Sequence, residues 1–395
     1  MSMFLGLFIV FGFFAIGDFL GVKTKAKMSS VFVALLLFLV CFVAGILPPD
    51  IIETAGLTKL AKMATMFLVF NMGTSVNLSQ MRKEWKVVVF SIIAMAVAVG
   101  AVALTIPLIG KQAAIVSIPI VNGGIVATQI MTEAALEKGF TMAAALGTLV
   151  FAVQKFVGTI PASRCGLSEA NHLLAEYREN LKNGIDLNKA EAAESTDGSK
   201  AKKPMFYDVH DKYYTVYTTL GIAAGACWVA SLIQDVTGIS GSIWCLLLGM
   251  LLNQVGLVPP KMLDKGKSSG LFMIATFSNL IPSLAKINMS DLVSLAFQIV
   301  VVFAAVLIGC FIVLYFLPTW KFVGSKNMAM GIAMSQLLGF PATFLIVNEV
   351  ATAVAETEGE KDYIVNKLTP AFVISGFVSV TTISILVAGV FAKFL

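Results

Sequence analysis

Charge is scarce in this 395-residue chain: 13 % of its residues are Asp, Glu, Lys or Arg, while 58 % are hydrophobic. Soluble domains carry about 25 % charged and about 45–50 % apolar residues. With a mean hydropathy of +0.88, that shortage excludes a soluble enzyme, a nucleic-acid binder and a disordered scaffold. Histidine is limited to His172 and His210, both in one polar loop, so no HExxH metal helix exists, and no GxSxG nucleophile elbow is present either. The run Asp264-Lys265-Gly266-Lys267-Ser268-Ser269 imitates the end of a phosphate loop. The Walker spacing needs a glycine at position 261, which is Lys261. An ATP-driven pump and an intramembrane hydrolase therefore have no visible equipment, and no enzyme activity or cofactor is expected. Cys41, Cys227, Cys245 and Cys310 sit inside apolar runs and Cys165 just past one. None has metal or redox spacing, and all five read as small buried hydrophobes.

What the chain has in abundance is apolar runs of spanning length. They cover Met3–Gly21, Ser29–Leu47, Leu57–Ser75, Val87–Ile109, Phe140–Ala162, Tyr213–Ile233, Ser242–Val258, Ser268–Ala285, Leu292–Leu317 and Ile364–Phe391. At about 20 residues per crossing, they predict an all-α polytopic membrane protein of about ten transmembrane helices. The first run has no small-residue cleavage site before a polar start and reads as a retained helix, not a signal peptide. Two further stretches, 112–136 and 328–355, are broken by Pro119 with Asn122-Gly123-Gly124 and by Gly339-Phe340-Pro341. Their arms of about 8–14 residues are too short to cross, and they predict re-entrant helical hairpins.

The chain repeats itself. A shift of 211 residues lays Pro48-Pro49 on Pro259-Pro260, Ala64-Thr65 on Ala275-Thr276 and Asn77 on Asn288. A shift of 216 then lays Gly123 on Gly339, Ile130 on Ile346 and Glu133 on Glu349. Charge decides the relative orientation. Lys23, Lys25 and Lys27 follow the first span, while the equivalent loop 234–241 has no Lys or Arg; the next loop, 48–56, has none, while its equivalent holds Lys261, Lys265 and Lys267. Under the positive-inside rule the halves are inverted, five spans each. The expected organisation is a first repeat over 1–162, a cytoplasmic linker with an amphipathic helix over 163–212, and a second repeat over 213–395, with both termini outside. The linker's composition suits a solvated tether with an interface-lying helix, or a regulatory surface.

Inverted repeats with paired broken helices mark secondary transporters, which bind substrate and ions at the breaks. Chain breaks free backbone N–H and C=O groups that membrane depth tolerates only where they line a cavity or a ligand. Half-helix N-termini suit a carboxylate and C-terminal carbonyls suit Na⁺. The candidate substrate residues are Asn122, Gly123, Gly124, Thr128 and Gln129 at the first tip, and Gln336, Gly339, Thr343 and Asn348 at the second. Candidate ion ligands are Ser117, Ser335, Glu133, Glu349 and the unwound-looking runs with Asn71, Thr74 and Ser75 and with Ser278 and Asn279. For each Ser and Thr the competing role is a back-bond to the preceding turn. For the two Glu it is a solvated arm end; Lys155 can snorkel or pair with an acid.

The runs FNMGTSVNLSQMRKEWKVVVF, VNGGIVATQIMTEAALEKGFT and QLLGFPATFLIVNEVATAV resemble, in placement along the whole chain, the glutamate:sodium symporter family and the wider group of two-hairpin elevator carriers. The resemblance implies a homodimer in the cell membrane, with a static scaffold and a sliding core that takes up an acidic amino acid or related carboxylate with Na⁺. The first tip reads Asn122-Gly123-Gly124 where glutamate carriers place a Gly-His-Gly-rich stretch, so glutamate itself does not follow. A cation/proton antiporter or exporter on the same scaffold, and a non-transporting sensor acting through the linker, stand as alternatives.

Overall fold

The computed structural model describes residues 1–23, 30–76, 78–183, 187, 205–339 and 342–395. Asn77, Phe340-Pro341, Lys25 and Lys27, and the linker residues 188–204 lie outside them. All regular structure among the described residues is helical, without a strand. The protein is an all-α, membrane-embedded chain. Among the described residues, five helices are long and apolar enough to cross a bilayer, fewer than the ten apolar runs suggest. The difference lies in breaks that hydropathy does not register.

The first half holds α1 (Met3–Lys23), α2 (Ser30–Val43), α3 (Thr58–Thr74), α4 (Trp85–Ala103), the hairpin arms α5 (Lys111–Val121) and α6 (Ile125–Glu137), and α7 (Thr141–Lys182). The second holds α8 (Val216–Thr237), α9 (Gly241–Gln254), α10 (Ser269–Ser278), α11 (Met289–Phe316), the arms α12 (Lys326–Leu338) and α13 (Ala342–Val354), and α14, which runs over 358–391. Helix α2 has 14 residues, about 21 Å at 1.5 Å each, short of a hydrocarbon core of about 30 Å. It stops at Gly45 (φ +68°), and α9 stops at Gly256 (φ +82°). These glycines differ by 211 positions, and so do the short helices Ile51–Thr54 and Met262–Lys265 that follow them. The left-handed residues Gly56 and Lys267 keep the same interval.

Two local expectations change. The run from Asn71 to Ser75 is not unwound: it is the last turn and C-cap of α3. Gly73 lets that turn press onto α9, where a Cβ would collide with the Leu246 carbonyl; reciprocally, a Cβ on Gly249 would lie 2.5 Å from the Phe70 carbonyl. Small residues at a crossing let membrane helices approach backbone to backbone. The amphipathic stretch after residue 163 is not a separate interfacial helix: α7 is one 42-residue helix that continues through it. It keeps a buried face of Cys165, Gly166, Glu169, Ala170, Leu173, Leu174 and Tyr177, and so extends the packing surface after its other side has turned polar.

That extension grips the second half. Arg178 binds Glu360 (Nε to Oε1, 2.6 Å) and Glu356 (3.0 Å), and the rings of Tyr177 and Tyr363 lie 5.0 Å apart. Glu169 accepts from Ser325 at 2.5 Å, and Ser325 caps α12 through the Met328 N–H. The hydrogen bond from Arg178 holds the Glu360 carboxyl below the usual carboxylate range, against a smaller opposing effect of burial.

Candidate functional site

The two hairpins lie between α7 and α14, each of which packs against the arms of both. In the first hairpin, α5 tolerates Pro119 and ends with Asn122 as its C-cap; Gly124, in extended conformation, opens α6 with no side chain capping it. In the second, α12 ends at Gly339, whose φ of +66° is left-handed and suits glycine.

Both tips arrive at one side chain. Val380 of α14 sits so close to Gly124 that a Cβ there would overlap its Cγ1, and a Cβ on Gly339 would lie 2.9 Å from its Cγ2. The surroundings of the tips are shared too. On α7, Gln154 donates to the Gly123 carbonyl at 3.0 Å. One turn further, a Cβ on Gly158 would come 2.9 Å from Leu337 Cβ in the second hairpin. On α14, a Cβ on Gly123 would lie 2.6 Å from Ser384 Cβ, while a Cβ on Gly376 would lie 2.9 Å from Thr343 Cγ2. Each of the two embracing helices thus touches both breaks. Helix α14 is itself irregular here, wound as π-helix over Pro370–Ile374 and Ser379–Ile383, a form that recurs at functional sites.

The tips hold polar atoms that the protein leaves unsatisfied. Asn122 Oδ1, Gln129 Oε1, Gln154 Oε1, the Thr343 hydroxyl and both amide atoms of Gln336 are buried without a partner, as are the hydroxyls of Thr65, Thr276 and Thr369. Gln336 is 1 % exposed. A buried polar atom left unpaired costs about 1–3 kcal/mol, and such atoms gather at both chain breaks. Thr65 and Thr276 are equivalent under the 211-residue shift, and the partner Thr65 would ordinarily back-bond, the Ala61 carbonyl, receives Gln129 Nε2 at 3.4 Å instead.

Other candidates are already committed. Thr128 bonds the Gly124 carbonyl, Ser117 that of Ala113, Ser335 that of Gly331, and Ser278 that of Ile274. Asn348 likewise donates to Phe344, and Asn279 is a half-buried C-cap. These are the back-bonds and caps that such residues ordinarily make. Asn71 does something else: its Oδ1 accepts from the Leu263 N–H at 2.8 Å and its Nδ2 reaches Asp264. Thr74 accepts from Met262 while bonding the Asn71 carbonyl, as Ser75 also does. Asn71 and Thr74 anchor the helix Met262–Lys265, while Ser75 bonds back to its own helix. Glu133 lies 3.8 Å from Lys62, and Glu349 is exposed. The equivalent acids thus stand at arm ends, away from the tips. Lys155, half-buried, forms no ion pair among the described residues.

Two residues at this site lie outside the sequence expectations. Gln154 carries a signal, being a polar residue in an apolar span. Val380, a valine in an apolar run, carries none. No protein-family model matches the chain, and no curated protein does.

Proposed function

We propose that this chain is a Na⁺-coupled secondary carrier of a small organic anion, and that the ligand binds where both hairpin tips meet Val380. The observation that carries this reading is that convergence, accompanied by buried, unpartnered amides and hydroxyls on both tips and on α7. The open N-terminus of α6 suits a carboxylate. The amide oxygens of Asn122, Gln129 and Gln154 suit Na⁺, a hard cation; the candidates with back-bonded hydroxyls have less to offer it.

In this reading the halves are inverted repeats of five membrane passages and one re-entrant hairpin each. The recurrence of helix ends and left-handed residues at 211 positions supports the repeat, and the alternation of loop lysines supports the inversion. Both termini then lie outside and residues 163–212 inside. The hairpins with α7 and α14 form the moving core of a homodimeric elevator in the cell membrane.

Thermal stability of the purified protein tests the reading, measured against a panel of amino acids and carboxylates in Na⁺ and in K⁺. A ligand that binds only the folded state stabilises it by mass action. The expected result is a shift that requires both carboxylate and Na⁺. A shift with pH alone, insensitive to every carboxylate, would favour a proton antiporter or a sensor.

A further inference from the structure

Resting on the carrier reading, we propose that the site between the tips takes a compact monocarboxylate and rejects dicarboxylates that carry no cation of their own. The side chains that meet the tips are Gln154, Ser384 and Val380, and the unpartnered groups are the amides of Asn122, Gln154 and Gln336 and the Thr343 hydroxyl. None carries a charge. Among the described residues no Lys, Arg or His is fully buried, and the buried acids, Glu169 and Glu360, stand at the bases of α12 and α14. Lys155 of α7 is half-buried, about 100° round the helix from Gln154 and about 60° from Gly158, and among the described residues it makes no ion pair with either tip.

The site's positive potential therefore comes from the uncapped start of α6, worth roughly half a charge, and from one co-bound Na⁺. Together they offset one carboxylate. A second would be desolvated with no cation to pair it, which binding does not tolerate. The Val380 methyl groups, wedged against both tips, limit the bulk of whatever accompanies the single carboxylate.

The test compares a matched pair on the protein in detergent with Na⁺: lactate with malate. Dissociation constants come from thermal-shift titrations. The member with one carboxylate is expected to bind about 100-fold more tightly, the penalty for one uncompensated buried charge. Gln336→Met is expected to weaken that binding about tenfold or more, the loss of its amide contacts. Equal or tighter binding of malate overturns this inference and leaves the carrier reading standing. If neither acid shifts stability with Na⁺, this inference falls, while the carrier reading is decided by the wider panel of amino acids and carboxylates.

Discussion

Gln336 is a buried amide with nothing to bond, which makes Gln336→Met an informative change. Methionine conserves shape and flexibility while removing the two orphaned polar atoms. If those atoms wait for a ligand, the empty protein carries their desolvation cost, and the substitution relieves about 1–3 kcal/mol. Unfolding entropy of about 2.1 cal/mol/K per residue, over 395 residues, turns this into a gain of about 1–4 °C in Tm. The same change removes ligand contacts, so the stabilisation expected of a ligand in the wild type should shrink by about 1.4 kcal/mol for each tenfold loss of affinity. The assay is a pair of melts, with and without ligand, on both proteins. A ligand-free Tm that falls by several degrees would refute the reasoning, because it would show that Gln336 is a satisfied structural residue.

Other substitutions separate site from scaffold. Gly124→Val and Gly339→Val should abolish uptake without preventing membrane insertion, because each drives a side chain into Val380; normal uptake by both would mean that the tips do not form the site. Gly249→Val should prevent folding, since even a Cβ meets the Phe70 carbonyl at 2.5 Å; well-folded protein on size exclusion would contradict the close crossing of α3 and α9. Glu360→Gln tests the grip of α7 on α14. The Glu360 carboxyl is held below its ordinary range by Arg178, so the unfolded chain binds more protons. Its stabilising effect is complete above about pH 4.3 and is lost as pH falls through the lower folded value. The variant should melt below the wild type at pH 7, and the gap should close in acid; a gap that widens in acid would reverse the assignment.

The helix breaks at Asn122–Gly124 and at Gly339 were legible because glycine, proline and asparagine interrupt apolar runs there, and backbone chemistry at those residues is local. The length of α7 was not. Hydropathy falls at Ser163, yet Glu169, Leu173 and Tyr177 keep the buried face turning at the helical period, and only the contacts of α13 and α14 reveal a surface to pack on. Asn71, Thr74 and Ser75 looked unwound because they are polar; intrahelical bonds and the Met262–Lys265 helix absorb that polarity. Val380 was illegible for the opposite reason. Its importance comes from two tips more than two hundred residues apart in sequence converging on its methyl groups, and composition does not encode that.

The most direct test of the central claim is uptake by proteoliposomes under an imposed inward Na⁺ gradient, using the carboxylate that most stabilises the purified protein. The account predicts concentrative uptake that disappears when K⁺ replaces Na⁺ and when Gly339 is changed to Val. Uptake of equal size in K⁺, or in the Gly339→Val protein, would contradict it.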